Sequence, residues 1–181
     1  MLAIGMVEFN SIAKGIEAAD FMVKAAQVEL VTCNTVCPGK YIVLVSGDVA
    51  AVQSSVEVGI ERGNESVVDD FILPNVHPAV FPAINCTSGV TALQALGIIE
   101  AFSIAAIIVA ADAAAKAAAV DLIEVRTGMG IGGKSFVTMT GDVAAVKAAV
   151  EAGAELIKEK GLLVNQVVIP SPSRRLHTAI I

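Results

Sequence analysis

The chain has 181 residues, a formal charge of −6 and a pI near 4.8, so its surface repels a phosphate backbone and nucleic acid is not an expected partner. Its hydrophobic fraction is 55% with only 4% aromatic residues, and a mean hydropathy of +0.75 is high for a domain in water. The most apolar stretch, 104–111, is bounded by Glu100, Asp112 and Lys116 and falls short of the roughly 20 residues a spanning helix needs, so no membrane is expected and the excess apolar surface is assigned to contacts between subunits.

Residues 2–9 read as a short strand. Ser11 is placed to cap a helix reaching residue 26, with Ile12, Ile16, Ala19 and Val23 as its expected buried face. The β-branched run 28–36 reads as a strand, and Pro38-Gly39 as the turn after it. Proline is preset for the first central position of such a turn, and glycine is free to take positive φ at the second. Residues 40–46 then return as the second strand of a hairpin. Asp48 is placed to cap a helix to 62, and 67–73 reads as a last strand. Residues 74–91, with Pro74, Pro78, Pro82, Asn85 and Gly89, read mainly as a connection with room for one short helix over 79–84. The same order follows again: strand 95–101, helix 103–118, hairpin strands 120–127 and 135–140, helix 142–158 and strand 162–169. The tail from Pro170, Pro-Ser-Pro-Ser-Arg-Arg, reads as irregular.

The second half rewrites the first. Ala3-Ile4-Gly5-Met6-Val7-Glu8 corresponds to Ala95-Leu96-Gly97-Ile98-Ile99-Glu100, and Ala18-Ala19-Asp20 with Lys24-Ala25-Ala26 to Ala110-Ala111-Asp112 with Lys116-Ala117-Ala118. Gly39-Lys40 corresponds to Gly133-Lys134, and Gly47-Asp48-Val49-Ala50-Ala51-Val52 to Gly141-Asp142-Val143-Ala144-Ala145-Val146. This period is far longer than a solenoid unit, so the chain is a tandem duplication of a globular domain. The expected domains are 1–84 and 94–181, joined by 85–93. A strand-helix-hairpin-helix-strand unit implies an α+β fold, each copy a mostly antiparallel sheet with helices on one face.

Gly128-Met129-Gly130-Ile131-Gly132-Gly133-Lys134-Ser135 matches the Walker A pattern letter by letter. That pattern holds phosphate because the loop opens a helix, whereas here a predicted strand follows and the first copy has only a tight turn in its place. It is read instead as a flexible hairpin tip. The three cysteines, Cys33, Cys37 and Cys86, are odd in number and follow no secretory leader, which points away from a disulfide framework and toward a reducing cytoplasm. Cys33 and Cys86 are expected as partly buried thiols. No Ser/His/Asp, paired-carboxylate or Cys/His arrangement suggests an enzyme, and Glu8 and Glu100, repeated at strand ends, suit structural hydrogen bonds.

The motif set Gly-x-x-Glu, then Ala-Ala-Asp-x-x-x-Lys-Ala-Ala, then Gly-Asp-Val-Ala-Ala-Val-x-x-Ala-Val-Glu-Ala-Gly (ending at Gly153) resembles the bacterial microcompartment (BMC) shell-protein family, whose domain is a relative of the ferredoxin-like fold. Thr35-Val36-Cys37-Pro38-Gly39-Lys40 and Asn75-Val76-His77-Pro78 resemble the tandem-domain, iron–sulfur branch of that family. The resemblance implies a homotrimer imitating a hexameric tile, in the shell of a microcompartment in the bacterial cytoplasm. It places Lys24 and Lys116 at the tile edge against other shell proteins, although Pro74-Asn75 and Pro170-Ser171-Pro172 lack the arginine the family often carries there. It also implies that Cys37, Pro38 and Gly39 with Gly130, Ile131 and Gly132 line the central opening. One [4Fe–4S] cluster per trimer is then expected on three Cys37 thiolates, for electron transfer across the shell to or from a redox enzyme. A cluster normally takes four thiolates, and a threefold axis supplies three from one cysteine per chain, so the last ligand comes from elsewhere. The counterpart of Cys37 is Ile131, which fits a three-ligand site. The alternative is a metal-free tile whose pore conducts a small metabolite.

Overall fold

A computed structural model describes residues 2–128 and 130–180. The first copy runs β1 (Ala3–Phe9), α1 (Ile12–Ala25), β2 (Glu29–Val36), β3 (Lys40–Gly47), α2 (Val49–Gly63), a short 3-10 turn and β4 (Val67–Leu73), followed by α3 (Val80–Ile84). The second runs β5 (Ala95–Ala101), α4 (Ile104–Ala117), β6 (Asp121–Arg126), β7 (Ser135–Gly141), α5 (Val143–Lys158) and β8 (Leu163–Ile169), followed by α6 (Arg174–Ile180). Each copy folds into a four-stranded sheet, ordered β2-β3-β1-β4 and β6-β7-β5-β8, with every ladder antiparallel. The α+β fold is the expected one. The tail is not irregular as expected: α6 forms in it, because the prolines stop at Pro172 and the helix begins beyond them.

The duplication extends to backbone irregularities. A bulge falls between Leu30 and Thr32 and again between Leu122 and Glu124, and another between Glu8 and Phe9 and again between Glu100 and Ala101. The copies part at the hairpin tip. The first ladder closes at Val36 opposite Lys40, while the second ends earlier, at Arg126 opposite Phe136, and leaves a longer glycine-rich loop. Ser11 caps the first helix as expected, accepting from the Lys14 amide at 3.4 Å, and Ser103 does the same in the second copy, accepting from the Ala106 amide at 3.1 Å. Asp48 and Asp142 occupy the cap positions of α2 and α5 without a side-chain cap bond, so they act only through charge on the helix dipole.

In the first copy, Ala3, Val7 and Phe9 of β1 and Tyr41, Val43 and Val45 of β3 meet Ala18, Ala19 and Met22 of α1 and Val52 and Val56 of α2. Both helices therefore cover one face of the sheet. The residues between them on β1, Ile4, Met6 and Glu8, are buried as well. Close packing rests on small residues: a Cβ on Gly5 would stand 2.5 Å from Val56 Cγ2, and one on Gly15 2.5 Å from Cδ1 of Tyr41. This corrects the expected face of α1. Ala19 is buried, but Ile12, Ile16 and Val23 are exposed, and the side turned to the sheet is Gly15, Ala18, Ala19 and Met22.

The chain forms two compact units, one of residues 2–76 with the loop 130–133, the other of 77–128 and 134–180. The segment 77–84, counted with the first domain from sequence, packs within the second unit, where α3 lies against β6 and α4. Among the described residues no helix is long and apolar enough to cross a membrane. Because Val52 and Val56 are stiff at χ1, Gly5→Ala is expected to lower unfolding stability by about 1–3 kcal/mol, read as a shifted urea midpoint at unchanged slope.

A candidate metal centre at a hairpin tip

The β2–β3 hairpin ends in Cys37-Pro38-Gly39. Val36 before it is buried, Cys37 is half-buried, and Pro38 and Gly39 are exposed. Gly39 has φ +78° with open space around it, as the turn reading requires, and the Cys37–Pro38 peptide is cis.

The tip is pinned from below. Lys40, the first residue of β3, places Nζ 2.8 Å from Oε1 of the fully buried Glu8 on β1. The second copy repeats the pair, with Lys134 Nζ 2.9 Å from Glu100 Oε1, in a more exposed setting. Each lysine directly follows its loop, so each ion pair fixes where the loop leaves the sheet. Structural bonds are what the sequence implied for both glutamates, and the signal for their partners was there too, since Lys40 and Lys134 correspond between copies just as Glu8 and Glu100 do.

The loop 130–133 packs with the first unit and completes the tip. Gly130, Gly132 and Gly133 take φ of +75°, +65° and +83°, which side chains rarely adopt. The Gly130 amide donates to Cys37 Sγ at 3.4 Å, and a Cβ on Gly133 would lie 2.9 Å from Pro38 Cδ. The structure thus brings the Cys37 turn and the glycine loop together, with half-buried Ile131 between Gly130 and Gly132. Met129 lies outside the described residues. Lys134 is engaged by Glu100 and Ser135 opens β7, so this segment lacks the loop-to-helix geometry that cradles phosphates.

A backbone N–H pointed at sulfur is a contact that a metal-bound thiolate accepts, and such bonds help set the potential of iron–sulfur centres. Cys37 therefore suits a cluster ligand. Among the described residues no three His, Cys, Asp or Glu side chains gather within one chain, so one chain offers this centre a single thiolate. Cys33 is committed elsewhere: its Sγ lies 3.0 Å from Tyr41 Oη, and the Tyr41 phenol is pushed up to about 12, first by burial and then by Cys33. Cys86 was expected to be partly buried and is exposed, because it follows the end of α3 in a left-handed conformation with φ +55°.

The two predicted edge lysines make the same local pair in different surroundings. Lys24 Nζ lies 2.6 Å from Asp20, and Lys116 Nζ 2.6 Å from Asp112, each one helical turn apart. Asp20 is exposed, whereas Asp112 is buried and its Oδ1 also accepts the His77 amide at 2.7 Å.

The BMC domain matches residues 3–76 and 95–172. The chain is 47% identical over 170 residues to the bacterial microcompartment shell protein PduT of Citrobacter freundii, covering 94% of this chain and 92% of that one. It is 38% identical to the carboxysome shell protein CsoS1A of Hydrogenovibrio crunogenus over 87 residues, 46% of this chain and 91% of that single-domain-length relative. Among solved structures, a microcompartment protein from Desulfitobacterium hafniense DCB superposes with a TM-score of 0.93 at 63% identity, covering 98% of this chain and 99% of that one. A fused permuted hexameric shell protein from the RMM microcompartment shares the fold, with a TM-score of 0.67 at 21% identity over 87% of this chain and 84% of its own.

The two ion pairs should differ in their effect on stability. Lys40→Met leaves the Glu8 carboxylate buried without its partner and is expected to cost about 3–5 kcal/mol. Lys134→Met, at the more exposed pair, is expected to stay within about 1 kcal/mol of the parent in the same denaturation experiment.

Proposed function

The chain belongs to the BMC-domain family, and from that membership we propose that three copies close into a pseudohexameric tile carrying one [4Fe–4S] cluster on its threefold axis. The chain is a structural shell protein of a bacterial microcompartment; the trimer, the cluster and its role are our reading.

Support for the trimer comes from comparing the copies. On α4 the positions Ile104, Ile108 and Ala115 are buried, while their counterparts on α1, Ile12, Ile16 and Val23, are open. Ile16 is 54% exposed against 0% for Ile108, and Leu30 of β2 is 47% exposed against 2% for Leu122 of β6. Related sequences on one backbone plan thus leave a stripe bare in one copy only. Full burial of an aliphatic side chain of this size is worth about 1.5–3 kcal/mol, and about half of that remains to be gained at each of these half-exposed positions, which a second copy of the chain supplies. A heterologous contact of this kind closes into a ring when its rotation permits. Lys24 and Lys116 are then available at the tile edge for other shell proteins.

The observation carrying the cluster is the Gly130 N–H held on Cys37 Sγ, at the hairpin tip where the second copy has Ile131 in place of the cysteine. Three chains would present three such thiolates, and a ligand from outside the chain would complete the set. When bound, the cluster supplies one-electron chemistry. The residues of the chain hold the thiolates, direct an amide at the sulfur and, through Lys40–Glu8, fix the loop that carries it. The function supported best is electron transfer across the shell, with a redox enzyme as partner.

Anaerobic reconstitution with iron and sulfide should give a brown trimer containing one cluster's iron per three chains, with an EPR signal on reduction. Cys37→Ser should lose the colour and the iron, while Cys33→Ser and Cys86→Ser keep them. A parent protein that stays colourless would favour the metal-free tile whose opening passes a small metabolite, and a Cys37→Ser protein with full iron would remove the site assignment.

A further inference from the structure

The segment that leaves the first copy shows where the segment that leaves the second one goes. After β4, the His77 amide donates to Asp112 Oδ1 at 2.7 Å, and α3 packs against β6 and α4 with Val80 and Ala83 fully buried. After β8, the corresponding residues are Ser173 for His77, Leu176 for Val80, Ala179 for Ala83 and Ile180 for Ile84, since β4 (Val67–Leu73) corresponds to β8 (Leu163–Ile169). This second tail is also helical and carries its apolar residues at the same spacing. Yet Leu176 is 41% exposed where Val80 is 0%. Ala179 and Ile180 only border a shallow cavity with Cys86 and Ile123 of their own unit.

The surface that would receive it is present and bare. Asp20 corresponds to Asp112 and holds the same lysine pair, but its carboxylate is exposed. Leu30 on β2, 47% exposed, corresponds to the buried Leu122 on β6, the strand against which α3 packs.

We propose that the tail after β8 docks on a second copy of the chain, with the Ser173 amide on Asp20 and Leu176 over β2, repeating the His77–Asp112 and α3–β6 contacts found within one chain. The partner is another copy because the recipient surface needs the tail that follows a last strand, and the tail following β4 already lies in the second unit. The proposal deepens the ring reading above and rests on it. The tail is then the clasp between successive subunits, and Asp20 and Asp112 are each an amide acceptor for the copy before.

Asp20 and Leu176 are exposed in a single chain, so changing them spares its folding. The double variant Asp20→Cys, Ser173→Cys should, on mild oxidation, give covalent multimers reaching three chains on a non-reducing denaturing gel, which neither single variant gives. Asp20→Ala and Leu176→Ser should each raise the concentration at which the assembly dissociates by tenfold or more, with Asp20→Asn, which keeps an acceptor, affected least. A trimer whose double variant stays single-chain, or whose dissociation is indifferent to Asp20→Ala and Leu176→Ser, overturns the tail contact and leaves the ring. Native mass reads the ring separately: a particle of another size with the cross-link still formed keeps the tail contact and removes the trimer.

Discussion

The constraint that governs this molecule is that the second copy of the domain is finished by chain that left the first. The carboxylate of Asp112, buried and holding the His77 amide at 2.7 Å, is where this shows most clearly. A buried carboxylate is costly unless its oxygens are occupied, and here one takes a backbone amide and the other Lys116. The equivalent Asp20 lies at the start of the series, where one chain has no preceding copy to offer. Its exposure, and that of Ile16 and Leu30 beside their covered counterparts, follow from the same shortfall. On the proposed ring, the high hydropathy of the chain has its explanation here: the apolar excess is interface that a single polypeptide leaves open.

Against this common plan, the hairpin tips are where the copies diverge. The Glu–Lys pair is kept in both, so both loops leave their sheets from a fixed point. Above it the first copy has a short turn with a thiol, and the second a longer glycine loop that can bring its backbone amides close to that thiol. Glycine matters here because Gly130, Gly132 and Gly133 all take positive φ, which would be strained with any other side chain, and because Gly133 approaches the Pro38 ring. A duplicated ring with two kinds of tip has threefold rather than sixfold symmetry, which is what a site built from one cysteine per chain needs.

Much of the fold was legible in the sequence because the chain states it twice. The strands 67–73 and 95–101 are found where they were expected, and Ser11 caps as its place before the helix implied. The buried face of α1 was not legible. Periodicity selects the most hydrophobic stripe, Ile12, Ile16 and Val23, but a helix serving both a core and an interface has two apolar stripes. The one nearest its own sheet is Gly15, Ala18, Ala19 and Met22, weakly hydrophobic over most of its length, and at Gly15 Tyr41 leaves no room for a side chain. The helix in the tail was hidden by Pro170 and Pro172, although alignment with α3 points to it. The exposure of Cys86 depends on where α3 ends, which composition does not reveal. At the candidate centre, Cys37 and Ile131 stood out as the place where the copies differ. The amide–sulfur contact from Gly130 joins positions distant in sequence and needed the fold.

The central claim is that the site exists only in the assembly: one thiolate per chain, three chains per cluster. Native mass spectrometry of the anaerobically reconstituted protein tests it most directly. The account predicts one dominant particle with the mass of three chains plus a single [4Fe–4S] cluster, reverting to three bare chains in Cys37→Ser. A cluster retained by isolated single chains, or a trimer that gains no iron–sulfur mass under reconstitution, would contradict it.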